Sequence, residues 1–88
     1  MTQRTRYFLT YRGVTLPLNL ADELDAVGVR NRGSYFRATY DEQGNMTHIE
    51  KLVYGDVELE HAYRYDSSGK LREATITTPG EEPIVMQV

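Results

Sequence analysis

The stretch Met46-Thr47-His48-Ile49-Glu50-Lys51-Leu52-Val53-Tyr54-Gly55-Asp56-Val57-Glu58-Leu59-Glu60-His61-Ala62-Tyr63-Arg64-Tyr65 decides the fold. Two runs rich in β-branched and aromatic residues alternate with polar ones at period two, and one glycine-containing break separates them. That is an antiparallel hairpin. With Gly55-Asp56 as the centre of a two-residue turn, Tyr54 faces Val57, Leu52 faces Leu59, Glu50 faces His61, His48 faces Tyr63 and Met46 faces Tyr65. In that register all ten share one side of the sheet, which is apolar except for His48, Glu50 and His61.

The same alternation continues in both directions. Downstream, Asp66-Ser67-Ser68-Gly69 is a turn, Lys70 to Thr78 a strand, Pro79 to Pro83 a loop, and Ile84 to Val88 a last short strand. Upstream, Asp41-Glu42-Gln43-Gly44 is a turn preceded by a strand over Ser34 to Tyr40. Either Phe36 or Tyr35 of that strand faces the core, according to the register of the turn. At the start, Tyr7, Leu9 and Tyr11 alternate into Arg12-Gly13, and Val14, Leu16 and Leu18 continue beyond it. This predicts a hairpin pairing Tyr11 with Val14, Leu9 with Leu16 and Tyr7 with Leu18, with Pro17 confining the second strand to an edge. Between Asn19 and Gly28 the period changes. Asn19 suits a helix cap, Leu20, Leu24 and Val27 recur at helical spacing, and Gly28 suits a stop, so one short helix is expected there. Val29 to Gly33 reads as a loop.

The expected architecture is one mainly-β domain over residues 1–88: an antiparallel meander or partly closed barrel of six to seven strands with at most one short helix. At 88 residues and 10.1 kDa the chain can build only a thin core. No apolar run reaches the roughly 20 residues that span a bilayer, and no signal-peptide core follows the N-terminus, so no membrane is expected. The absence of cysteine removes disulfides, thiolate metal sites and a cysteine nucleophile, and suits a reducing, cytoplasmic setting.

Charge narrows the function classes. Six of the ten basic residues lie in residues 1–37 against three of the thirteen acids; the remainder of the chain is strongly acidic. The overall charge of −3 disfavours non-specific nucleic-acid binding. Arg30-Asn31-Arg32-Gly33-Ser34-Tyr35-Phe36-Arg37 interleaves arginine with aromatics, as base-stacking sheets do, but matches an RNA-recognition signature only at Arg32, Gly33 and Phe36. The charge asymmetry suits a protein partner or self-association, with Asp56, Glu58, Glu60 and Glu73 as an acidic contact surface.

His48, Glu50 and His61 are the one polar constellation. They read as a structural cross-strand pair with a packed neighbour, as a metal site with a fourth position for water, or as part of a ligand pocket walled by Tyr54, Tyr63 and Tyr65. No nucleophile elbow, phosphate loop or spaced acid pair accompanies them, and no cofactor is expected, so the sequence points away from an enzyme. The leading expectation is a non-enzymatic binding module acting through a sheet face or edge. The alternative is a small metal- or ligand-binding protein using His48, Glu50 and His61.

Tyr40-Asp41-Glu42-Gln43-Gly44-Asn45-Met46 matches Tyr65-Asp66-Ser67-Ser68-Gly69-Lys70-Leu71 at an offset of 25. With Tyr63-Arg64 before it, the second copy resembles the Tyr-Asp repeat of the Rhs-type β-shell proteins over about half the chain. The resemblance implies hairpin geometry and no activity. The chain as a whole resembles small bacterial proteins of unknown function, which likewise implies no activity.

Overall fold

The computed structural model describes residues 4–13 and 15–88. Seven antiparallel strands form one open sheet in the order β2-β1-β3-β4-β5-β6-β7. They are β1 (Arg4–Arg12), β2 (Asn19–Leu24), β3 (Ser34–Tyr40), β4 (Met46–Val53), β5 (Asp56–Tyr65), β6 (Leu71–Thr77) and β7 (Ile84–Gln87), with one helix, α1 (Ala26–Arg30), between β2 and β3. From β3 onward the sheet is the expected meander, but it does not close into a barrel: β2 and β7 are its two edges. No described helix is long and apolar enough to cross a membrane.

The repeat at offset 25 is structural. Asp41 and Asp66 each accept two backbone N–H bonds through Oδ1, from Gln43 and Asn45 in one turn and from Ser68 and Lys70 in the other. Gly44 and Gly69 close these turns at φ +85, the left-handed region that glycine enters without a Cβ penalty. Beyond each turn one strand carries an extra residue, Thr47 in β4 and Arg72 in β6, so that Tyr40 pairs with Met46 and Tyr65 with Leu71.

Those two hairpins build the core on one face of the sheet. Ala38 pairs with Ile49 in the first and Tyr63 with Ala74 in the second, a small residue opposite a large one each time. Phe8 and Phe36 pair beside them. Leu18 reaches this face from the segment between β1 and β2, where its N–H donates to the Tyr63 hydroxyl at 3.2 Å. Leu16 and Leu20 pack alongside, so this segment straps the inner face. Phe36 therefore faces inward and Tyr35 outward, resolving the register left open by the sequence.

The N-terminal hairpin differs from expectation. The expected strand over Val14 to Leu18 does not form where described; Val14 itself lies outside the described residues, and Leu16-Pro17 is a cis peptide within the strap. Asn19 to Leu24 is strand rather than helix, pairing Tyr7 with Leu24 and Tyr11 with Leu20. Tyr7, Leu9 and Tyr11 also do not share one clean face. Tyr7 meets Tyr35 edge-on at 5.7 Å, whereas Tyr11 meets Phe36 at 5.6 Å, on the opposite side. The alternation breaks opposite Asp22, which holds φ +61 between the partners of Phe8 and Thr10. Helix α1 is capped by Asp25, whose side chain accepts from Gly28 N at 2.7 Å, and it runs through Gly28 to Arg30.

Candidate functional site

The β4–β5 hairpin, through its turn and a bulge just beyond it, decides which polar side chains meet. Tyr54 and Gly55 both take positive φ, +50 and +86, the backbone of a two-residue turn with those residues at its centre. Val53 thus pairs with Asp56, and the turn lies one residue earlier than Gly55-Asp56. The Tyr54 N–H donates to Gly33 O at 2.6 Å and its ring lies over Gly33, contacts that hold the left-handed residue in place. Glu58 is an extra residue in β5, and beyond it Lys51 pairs with Leu59, Glu50 with Glu60, Ile49 with His61 and His48 with Ala62.

Moving the turn by one residue shifts the register by two and keeps the faces. The extra Glu58 makes the net change one residue, which turns every side chain of β5 beyond it to the opposite face relative to β4. His48 and Glu50 therefore lie on the outer face, and His61 lies on the inner face between Ile49 and Ile76. The expected convergence of His48, Glu50 and His61 does not occur. Among the described residues no group of three or more His, Cys, Asp and Glu side chains is placed to hold a metal ion. Of the expected pocket walls, Tyr54 is 86% exposed with its ring over Gly33, while Tyr63 and Tyr65 belong to the inner face.

Each polar residue has instead found a partner close by. His48 Nε2 meets Glu60 Oε2 at 2.5 Å. Glu50 accepts from Arg37, and that bond raises the guanidinium pKa. Glu73 accepts from Gln87 and Arg64, which hold its carboxyl below the usual range. The outer face is thus a ladder of paired charges, and two of the four residues of the expected acidic surface, Glu60 and Glu73, are tied into it. In the arginine–aromatic stretch, Tyr35 packs on Tyr7 and Arg37 is bound to Glu50.

His61 is the buried polar residue of the core, 6% exposed. Its Nδ1 lies 2.7 Å from the Tyr63 hydroxyl, which already accepts from Leu18 N–H. In the neutral imidazole with its proton on Nε2, Nδ1 accepts from that hydroxyl. Burial lowers the His61 pKa and raises that of Tyr63. Burial likewise pushes Tyr65 up to about 12, where its hydroxyl donates to Met46 O at 2.6 Å. These groups lock strands and strap together.

The exposed apolar residues of the sheet cluster elsewhere, at the β7 edge. Ile84, Val85, Met86 and Val88 are exposed at 57%, 56%, 42% and 63%. Val88 N–H donates to Arg72 O at 2.9 Å, and β7 pairs Met86 with Ala74 and Ile84 with Ile76. Backbone groups alternate along a strand, so Ile84, Met86 and Val88 direct N–H and C=O toward β6. Val85 and Gln87 direct theirs away from the sheet. An edge with outward donors and acceptors, apolar side chains and no charge between Pro83 and Val88 is unprotected. The sequence signal for it is the uncharged run Ile84-Val85-Met86-Gln87-Val88, which reads as a strand and not yet as a site.

Fold and edge together define a class: a single-sheet antiparallel β protein with one blunted and one open edge. The chain belongs to a family of unknown function (DUF6156), whose model matches residues 1–88. No curated protein and no solved structure matches it.

Proposed function

We propose that this protein is a non-enzymatic interaction module whose working surface is the β7 edge, where a strand of a partner protein adds to the sheet. The observation that carries the reading is the outward-directed backbone of Val85 and Gln87 beside exposed Ile84, Met86 and Val88. Main-chain hydrogen bonds supply affinity in such pairing, and alternate side chains supply selectivity. The opposite edge supports the choice, because β2 is interrupted by left-handed Asp22 and carries Asp22 and Glu23. The cysteine-free composition is the support for placing the module in the cytoplasm. The metal- or ligand-binding alternative loses its basis with His61 on the face opposite His48 and Glu50.

Amide exchange tests the reading. In dilute protein Val85 and Gln87 should exchange rapidly, and cell extract or raised protein concentration should slow both. Val85→Pro removes an outward donor without removing a β6–β7 bond, and should abolish the protection. Unchanged exchange at both amides under all conditions rejects the proposal.

A further inference from the structure

We infer that the occupant of the β7 edge is a second copy of this chain, joined about a two-fold axis through Met86 so that the two sheets continue into one; this rests on the edge-binding reading above. The register follows from the backbone. With the axis at Met86, Val85 lies opposite Gln87 of the second copy. Both residues carry free N–H and C=O, so a reciprocal pair of bonds forms on each side of the axis. Moving the axis to Val85 would set Gln87 opposite Pro83, which has no N–H to give. That register would leave the Gln87 carbonyl unpaired and set apolar Val88 opposite charged Glu82, so the Met86 register is the better fit.

Side chains agree with that register. On the inner face Met86 meets Met86 of the second copy, and Ile84 meets Val88 on either side, covering three exposed apolar residues. The outer face sets Val85 against Gln87. Glu81 and Glu82 fall beyond the paired segment, so no like charges are brought opposite one another. The contact is isologous and closes on itself. Head-to-tail growth would need the β2 edge, where Asp22 at φ +61 breaks the alternation of backbone groups.

The chain lacks cysteine, so one engineered thiol reports the register cleanly. Met86 directs its backbone toward β6, making Met86–Met86 a non-hydrogen-bonded pair with Cα atoms about 4.5 Å apart, within disulfide range. Val85 would lie diagonally from Val85 of the second copy, roughly 7–8 Å away and beyond that range. Light scattering should give a mass rising from 10.1 kDa toward twice that with concentration. Val85→Pro should stay monomeric with an unchanged far-ultraviolet spectrum. Under mild oxidation Met86→Cys should form a disulfide dimer about tenfold faster than Val85→Cys, by the geometric limits above. Equal rates for the two variants would overturn the register, and a mass fixed at 10.1 kDa at every concentration would overturn the second copy. A chain that stays monomeric yet shows extract-dependent, proline-sensitive protection of Val85 and Gln87 overturns this inference alone. Loss of both effects overturns the edge reading with it.

Discussion

A histidine between Ile49 and Ile76 costs stability unless it stays neutral and bonded, and His61 does both. Its folded pKa lies below the ordinary 6.5 because burial disfavours the cation, so below pH 6.5 the unfolded chain binds more protons than the folded one. The stability associated with neutral His61 is therefore complete above pH 6.5 and is lost as pH falls toward the depressed value. Urea midpoints should decline in this window, above the range in which Glu23 and Glu73 protonate. His61→Gln retains an acceptor for Tyr63 without titrating, and should flatten that decline. A slope unchanged in His61→Gln would assign it to another group. Tyr63→Phe makes a complementary prediction. It leaves the Leu18 N–H without its acceptor and should cost about 1–3 kcal/mol in chemical denaturation.

At the scale of elements, the matched turns make a quantitative demand. Gly44 and Gly69 share φ +85, and a Cβ at either would meet nothing within 4 Å, so alanine there incurs backbone strain without a clash. Gly44→Ala and Gly69→Ala should each cost about 1 kcal/mol, and nearly the same amount. Thermal melts that differ strongly between the two would show the hairpins to be energetically unlike. These turns were legible because Asp-x-x-Gly names both the side-chain acceptor and the left-handed position. The strand β3 (Ser34–Tyr40) was legible to the residue for the same reason. The β4–β5 register was not. Gly55 marks a turn but leaves its centre open, and Tyr54 is an unusual residue at positive φ. Its conformation depends on Gly33, 21 positions away in sequence, a contact that pattern reading does not reach. Moving the turn centre alone would have kept His48 and His61 on one face. The extra residue Glu58, which no sequence pattern marks, made the register change odd, separated His61 from His48 and Glu50, and so removed the site read from the sequence. The N-terminal segment failed differently. Leu16 and Leu18 do seek the inner face as their spacing implied, but they do so from a strap rather than a strand.

Across the whole molecule, one open sheet has to bury its inner face without a second layer, and it manages this unevenly. Ala38, Ile49 and Ala74 are exposed by 0%, 1% and 0%, while no residue from 81 to 88 is buried. The strap from Leu16 to Leu20 covers the core that runs from β1 to Ala74 of β6, and β7 beyond it carries Ile84 and Met86 toward an uncovered side. Stability should follow that gradient, because opening free energy tracks buried apolar contact. In dilute protein, amides of β3, β4 and β5 should exchange only through global unfolding, and those of β7 by local opening. Ile49→Ala, at the centre of the covered half, should cost about 2–5 kcal/mol and speed exchange in all three central strands together. Ile84→Ala in the isolated chain should leave the central strands unchanged, since its side chain is half in water already. At high concentration the same substitution should lower the protection of Val85 and Gln87. A uniform exchange profile in dilute protein would show that β7 is integral to the fold and not available to a second strand.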